Sequence, residues 1–205
     1  MKHITIAGFI LFLLIASNTL SDEKTFNVLK KKFSSTKTFT ADFSEQTITK
    51  KGSTQSFSGK ISLKRPHFLR MEILSPQKEL IIYNGKKVWF YFPEKQYCLI
   101  YSSSTNSYIS KVPEYIFSPF DNLTADTIIT TGDSIIVELN PVDTNTTIKS
   151  LHFVCMYKTM FPKSITLTDR TGNKTVYSFS NVKINIKKEI DFNFSPPQGT
   201  KIIEK

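Results

Sequence analysis

The stretch from Phe57 to Pro66 reads Phe57-Ser58-Gly59-Lys60-Ile61-Ser62-Leu63-Lys64-Arg65-Pro66. Counted by twos, Phe57, Gly59, Ile61 and Leu63 make one apolar strand face, because successive side chains of an extended chain point to opposite sides. The next member of that face is Arg65. A guanidinium keeps its charge, so on an apolar face it needs acceptors. Pro66 cannot donate to a ladder, which places a strand end, an edge or a bulge here. Arg65 then has two readings. Either a bulge turns it out to solvent, or it stands at the rim of an apolar cavity and bonds to whatever covers that cavity.

The two-residue period extends outward from this stretch. Phe39, Ala41 and Phe43 precede it; Leu69, Met71 and Ile73, then Leu80 and Ile82, follow it. Turn signals at Lys51-Gly52-Ser53, Ser75-Pro76 and Asn84-Gly85 separate the runs, as in an antiparallel meander. Val88-Trp89-Phe90-Tyr91-Phe92 is apolar on both faces, so it lies between two packed layers or lines a cavity with one face. After Tyr97–Tyr101 and a polar patch, Ile109, Val112 and Ile116 share a helical face around Pro113, which predicts a short helical insert. Further strands are expected at Thr127–Thr131, Ser134–Asn140, Leu151–Tyr157, Ile165–Leu167 and Val176–Ser180, with Ile190, Phe192 and Phe194 closing the set. Near the start, Phe26, Leu29 and Phe33 fall at helical spacing behind Asp22 and Glu23, which predicts an amphipathic helix. The predicted fold is mainly β: a single, strongly curved antiparallel sheet of about 11 strands, more than a flat sheet holds without curling, partly covered by helices.

A chain of 205 residues suffices for one core. Lys2 and His3, the apolar run Ile4–Ile15 and the small and polar residues up to Ser21 read as a cleaved export signal, residues 1–21, leaving one domain over 22–205. No cysteine stands directly after the apolar run, so the chain shows no sign of being lipidated there. Cys98 and Cys155 are the chain's two cysteines, readable as one disulfide or as two buried thiols. The net charge of +10 comes from scattered lysines with one short run, Lys30–Lys32, and matches no nucleic-acid motif; a solvated basic surface is expected, and no nucleic acid.

Chemical motifs are missing. His67 and His152 are in no metal-ligand pattern, and the chain has no nucleophile elbow, phosphate loop or dinucleotide fingerprint. Asp42 and Glu45 are neighbours in sequence without the signs of a split-pKa pair. No enzyme, metal or cofactor is expected.

The ordered series Phe39-x-Ala41-x-Phe43, Ser58-Gly59-x-Ile61-x-Leu63-Lys64-Arg65-Pro66, Asn84-Gly85-x-x-Val88-Trp89-Phe90-Tyr91-x-Pro93 and Phe192-x-Phe194-x-Pro196-Pro197-x-Gly199 resembles the LolA family of periplasmic lipoprotein carriers. The resemblance covers the chain beyond the signal. It implies that the curved sheet is an unclosed antiparallel β half-barrel with a helical lid over an apolar cavity, in a monomer that takes triacylated lipoproteins from an inner-membrane ABC transporter and passes them to an outer-membrane receptor. It implies that Arg65, with Pro66, braces the lid and is needed for cargo hand-over. Phe43, Leu63, Leu69, Met71, Trp89 and Tyr91 are then the candidate cavity lining, and Leu29, Phe33, Ile109, Val112 and Ile116 the lid side. The chain departs from the family pattern in two places: Phe68, Leu69 and Met71 occupy the region where an aromatic three or four residues beyond the proline and then a tryptophan are usual, and the glutamine of Phe43-Ser44-Glu45-Gln46 comes one place late. The alternatives are a carrier or sensor of another envelope lipid or glycolipid on the same fold, an interaction module for acidic polymers, and an envelope hydrolase.

Overall fold

A computed structural model describes residues 23–102, 108–121, 123–143 and 145–205. The expected signal, residues 1–21, lies outside them. Among the described residues no helix is long and apolar enough to cross a membrane.

Helix α1 spans residues 23–34. Six strands follow as a meander: β1 (Thr38–Ile48), β2 (Thr54–Lys64), β3 (Phe68–Ser75), β4 (Glu79–Tyr83), β5 (Lys87–Phe92) and β6 (Tyr97–Ser102). Helix α2 (Tyr108–Phe117) interrupts them, with Pro113 inside it. A second meander comprises β7 (Leu123–Thr131), β8 (Ser134–Pro141), β9 (Ile148–Met156), β10 (Pro162–Asp169) and β11 (Lys174–Ile184), and β12 (Lys201–Glu204) ends the chain. One sheet takes all twelve strands in the order β12-β6-β5-β4-β3-β2-β1-β11-β10-β9-β8-β7, so the two meanders join where β11 lies against β1. Its two edges, β7 and β12, do not meet. The half-barrel is therefore unclosed, as the resemblance implied, and the strand count matches the curling expected of so many strands.

The alternation read from the sequence sets the concave face. Phe39, Ala41 and Phe43 of β1 lie opposite Leu63, Ile61 and Gly59 of β2, and Leu63 and Ile61 lie in turn opposite Leu69 and Met71 of β3. Leu139, Val137 and Ile135 of β8 and Leu151, Phe153 and Cys155 of β9 continue it, all of them fully buried. Gly59 has a packing reason: a Cβ there would stand 1.9 Å from the Glu72 carbonyl oxygen, at the register shift between β2 and β3. The two helices cover this face. Phe33 of α1 meets Phe153 of β9 edge to face, and Phe120, just past α2, meets Phe26, Phe33 and Phe153 in the same manner.

Two expectations about the chain's end are corrected. Residues 190–196 form no strand, although Phe192 is buried and packs on Phe68 while Phe194 packs on Tyr91. Their two-residue period comes from an extended segment laid across the convex face, without ladder hydrogen bonds. The last strand is Lys201–Glu204, and it runs parallel to β6 in an otherwise antiparallel sheet.

Candidate functional site

Between the concave face and α2 lies an apolar cavity of about 240 Å³. The sheet contributes Phe43, Phe57, Ile61, Met71, Ile81 and Phe179 among others, and the helix contributes Ile109, Val112, Tyr115 and Ile116. The cavity's two ends differ in burial and in chemistry.

Beyond one end of the lining, Leu63, Leu69 and Phe39 are sealed from solvent. Here β2 stops and Arg65 turns inward to the helix ends, which corrects the outward reading. Its Nε donates to the Thr36 carbonyl at 2.8 Å, and one terminal nitrogen donates to the carbonyls of Phe33 at 3.2 Å and Phe117 at 2.7 Å. The guanidinium also lies 5.0 Å from the centre of the Phe117 ring. Phe33 is in the last turn of α1, and Phe117 is the last residue of α2. The final carbonyls of a helix have no partner within it, and the helix dipole is negative there. One arginine thus satisfies the C-terminal ends of both helices and ties them to the end of β2. Pro66 sits in the turn between β2 and β3.

At the other end, the lining is half-buried and includes Glu45, Glu79 and Tyr177. Burial raises the pKa of both carboxyls above the usual glutamate range; at Glu45, hydrogen bonds from Tyr177 and Thr47 offset part of the rise. Burial also raises the Tyr115 phenol, with the Glu114 charge adding to the effect.

The structure separates the candidate residues. Phe43 and Met71 line the cavity, as do Ile109, Val112 and Ile116 from α2. Leu63 and Leu69 are fully buried in the surrounding core without lining the cavity, and Leu29 and Phe33 pack into that core from α1. Trp89 and Tyr91 require a correction. They face the convex side, in a small cluster with Ile82, Cys98 and Ile100, under Phe194. Their strand lies between two packed layers, and the concave layer holds Val88 and Phe90. Cys98 belongs to this convex cluster and Cys155 to the concave core; both are buried free thiols. Burial pushes the Cys155 thiol up to about 12.

The sequence reading passed over Glu79, Tyr115, Tyr177 and the two helix-end carbonyls. Glu45 was legible by the argument applied to Arg65, since it follows Phe39, Ala41 and Phe43 in phase on the same face. Glu79 was hidden because Leu80 and Ile82 suggested the opposite phase for β4; it is Ile81 and Tyr83 that face the cavity side.

The family model of the outer membrane lipoprotein carrier protein LolA matches residues 34–195. The outer-membrane lipoprotein carrier protein of Glaesserella parasuis is 26% identical over 192 residues, covering 93% of this chain and 90% of its own. That of Azotobacter vinelandii is 26% identical over 190 residues, covering 90% of each. Among solved structures, an uncharacterised conserved protein of Thermus thermophilus shares the fold, with a TM-score of 0.56 at 11% identity over 90% of this chain and 99% of that one.

Proposed function

The chain belongs to the LolA family of outer-membrane lipoprotein carriers, and from that premise we propose that it carries acylated lipoproteins through the periplasm from the inner to the outer membrane. The observation that supports this reading is the apolar cavity between the curved sheet and α2, a helix whose C-terminal residue is held by Arg65.

The need for a carrier follows from solvation. An acyl chain of roughly 15 methylenes, at about 0.8 kcal/mol each, is held in a membrane by on the order of 12 kcal/mol. Unaided passage through water is prohibitively slow. The protein offers a comparably apolar surface, made of Phe43, Ile61, Met71, Ile81 and the inner face of α2. At about 240 Å³ the cavity is smaller than the roughly 300–1,000 Å³ typical of small-ligand pockets. Three acyl chains therefore require α2 to move away from the sheet.

Arg65 sets the energy of that movement. Lifting α2 breaks the hydrogen bond to the Phe117 carbonyl and the contact with its ring. The closed, empty state is stabilised by these contacts, and the filled state by acyl burial. Release to an acceptor is favoured because the clasp re-forms as the chains leave, so binding and release need no nucleotide. The donor is an inner-membrane ABC transporter and the acceptor an outer-membrane receptor, with the carrier acting as a monomer.

The test is extraction from a membrane. The purified protein is mixed with vesicles holding a triacylated lipoprotein, and the lipoprotein left in solution after sedimentation is measured. Stoichiometric transfer to the soluble fraction is expected; lipoprotein that stays with the vesicles overturns the reading.

A further inference from the structure

We infer that Glu45 and Glu79 select cargo by the charge of its head, so that the cavity admits acyl chains attached to a neutral or cationic group and rejects those attached to an anionic one. This rests on the carrier reading and deepens it.

The cavity has a direction. Glu45 lies opposite Phe57 across the β1–β2 ladder, and Phe43 and Ile61, which also line the cavity, stand further along the same two strands toward Arg65, in the turn after β2. At about 3.3 Å per residue, Phe57 to Ile61 is roughly 13 Å along β2. The Arg65 end is closed by both helix termini and by fully buried side chains. The end with Glu45, Phe57 and Glu79 is half-buried. Acyl chains entering the cavity therefore run toward the buried Phe43, Ile61 and Met71 and leave their head group near the two glutamates.

The charge at this end opposes that of the whole molecule. The chain carries 27 Lys and Arg against 17 Asp and Glu, yet the charged groups among the described lining residues are both carboxylates. Neither forms an ion pair among the described residues. Glu45 is held by Tyr177, and Glu79 stands on the first residue of β4, beside Ile73 and Ile81. Such carboxylates are a cost to a pocket whose only task is to hold hydrocarbon. They suit a head group that brings a positive charge or N–H donors, such as the amide or amine at a lipoprotein's acylated first residue. They repel a phosphodiester, because like charges brought together at a partly desolvated site are strongly unfavourable. The device would keep the abundant anionic phospholipids of a membrane from filling a cavity shaped for acyl chains.

The experiment uses three synthetic peptides bearing the same S-diacylglyceryl cysteine, with its α-amine free, acetylated or succinylated. The tails are then constant while the head is cationic, neutral or anionic. Binding is followed by displacement of a fluorescent acyl probe from the full-length mature protein. The free-amine and acetylated peptides are expected to bind at least about tenfold more tightly than the succinylated one, a factor within reach of one close charge pair at a protein surface. E45Q/E79Q should shrink this ratio toward one, and Glu79→Lys should turn it toward the succinylated peptide. Equal binding of all three peptides, or a ratio unchanged in both variants, overturns the inference while leaving the carrier reading intact. Failure of all three to displace the probe contradicts the carrier reading itself, and the inference with it.

Discussion

The Arg65 guanidinium donates to the Phe117 carbonyl at 2.7 Å and so joins the end of a sheet strand to the C-terminus of the covering helix. The same side chain holds Phe33 and Thr36 beside the end of the first helix, so one residue governs how both helices meet the sheet.

Arg65→Leu should therefore shift the balance between the closed and filled states. It removes three hydrogen bonds from the closed state, among them the one to the Phe117 carbonyl at the end of α2, whereas the Phe33 carbonyl keeps the Thr36 N–H as donor. At a net worth of about 0.5–1.5 kcal/mol each, the loss amounts to roughly 1.5–4.5 kcal/mol. The variant should fold with lower stability, bind lipoprotein, and hand it on more slowly because the clasp no longer drives release. Arg65→Lys should recover only part of the transfer, since an ammonium cannot fork between several carbonyls. Transfer at the parent rate by the leucine variant, measured from loaded carrier to acceptor membranes, contradicts this role.

Gly59→Ala should be severely destabilising. The new Cβ meets backbone, at 1.9 Å from the Glu72 carbonyl oxygen, and backbone in the middle of a sheet cannot swing away. A loss of about 3 kcal/mol or more, or failure to fold, is expected in urea denaturation. A midpoint equal to the parent's would show that β2 and β3 separate there without cost.

Ile109→Glu separates lining from core. Ile109 lines the cavity from α2 and is partly buried, so a charge there should leave the fold intact while weakening acyl binding. Leu69→Glu should fail to fold, because Leu69 is fully buried away from the cavity. Circular dichroism and acyl-probe binding distinguish the two outcomes; unimpaired binding by Ile109→Glu would remove α2 from the lining.

Trp89 is the chain's single tryptophan and faces the convex layer. Its emission should stay unchanged as acyl chains enter. A large shift on binding would place it beside the cargo.

The sheet was legible because one face of each strand meets a core and the other meets water, as in Phe39, Ala41 and Phe43. Where both faces are buried, period two cannot say which face meets which layer. That is why Trp89 and Tyr91 were assigned to the wrong side, and why Leu80 and Ile82 concealed Glu79. The segment from Ile190 to Phe194 shows the converse: alternation reports one-sided burial, and burial under a strand ladder or on top of a sheet looks the same. The four residues of the last strand are too few to carry a period. Arg65 stood out because it breaks an apolar face in phase, but its partners are backbone carbonyls at helix ends, which no side-chain pattern encodes.

Glu45 and Glu79 give a pH dependence of defined sign. Burial raises both folded-state pKa values above the ordinary 4.5, so the folded protein holds these protons more tightly than the unfolded chain. Their contribution to stability falls as pH rises through this window and is unfavourable above it. E45Q/E79Q should melt at a higher temperature than the parent at about pH 7.5, and the difference should vanish by about pH 4. A gain independent of pH would assign the effect to packing.

The most direct measurement is a native mass spectrum of the mature protein with a triacylated lipoprotein and with the same polypeptide lacking its acyl chains. The account predicts a one-to-one complex with the acylated form and none with the other. A complex formed equally with both, or with neither, contradicts the claim that the cavity between the sheet and its helical cover carries acyl chains.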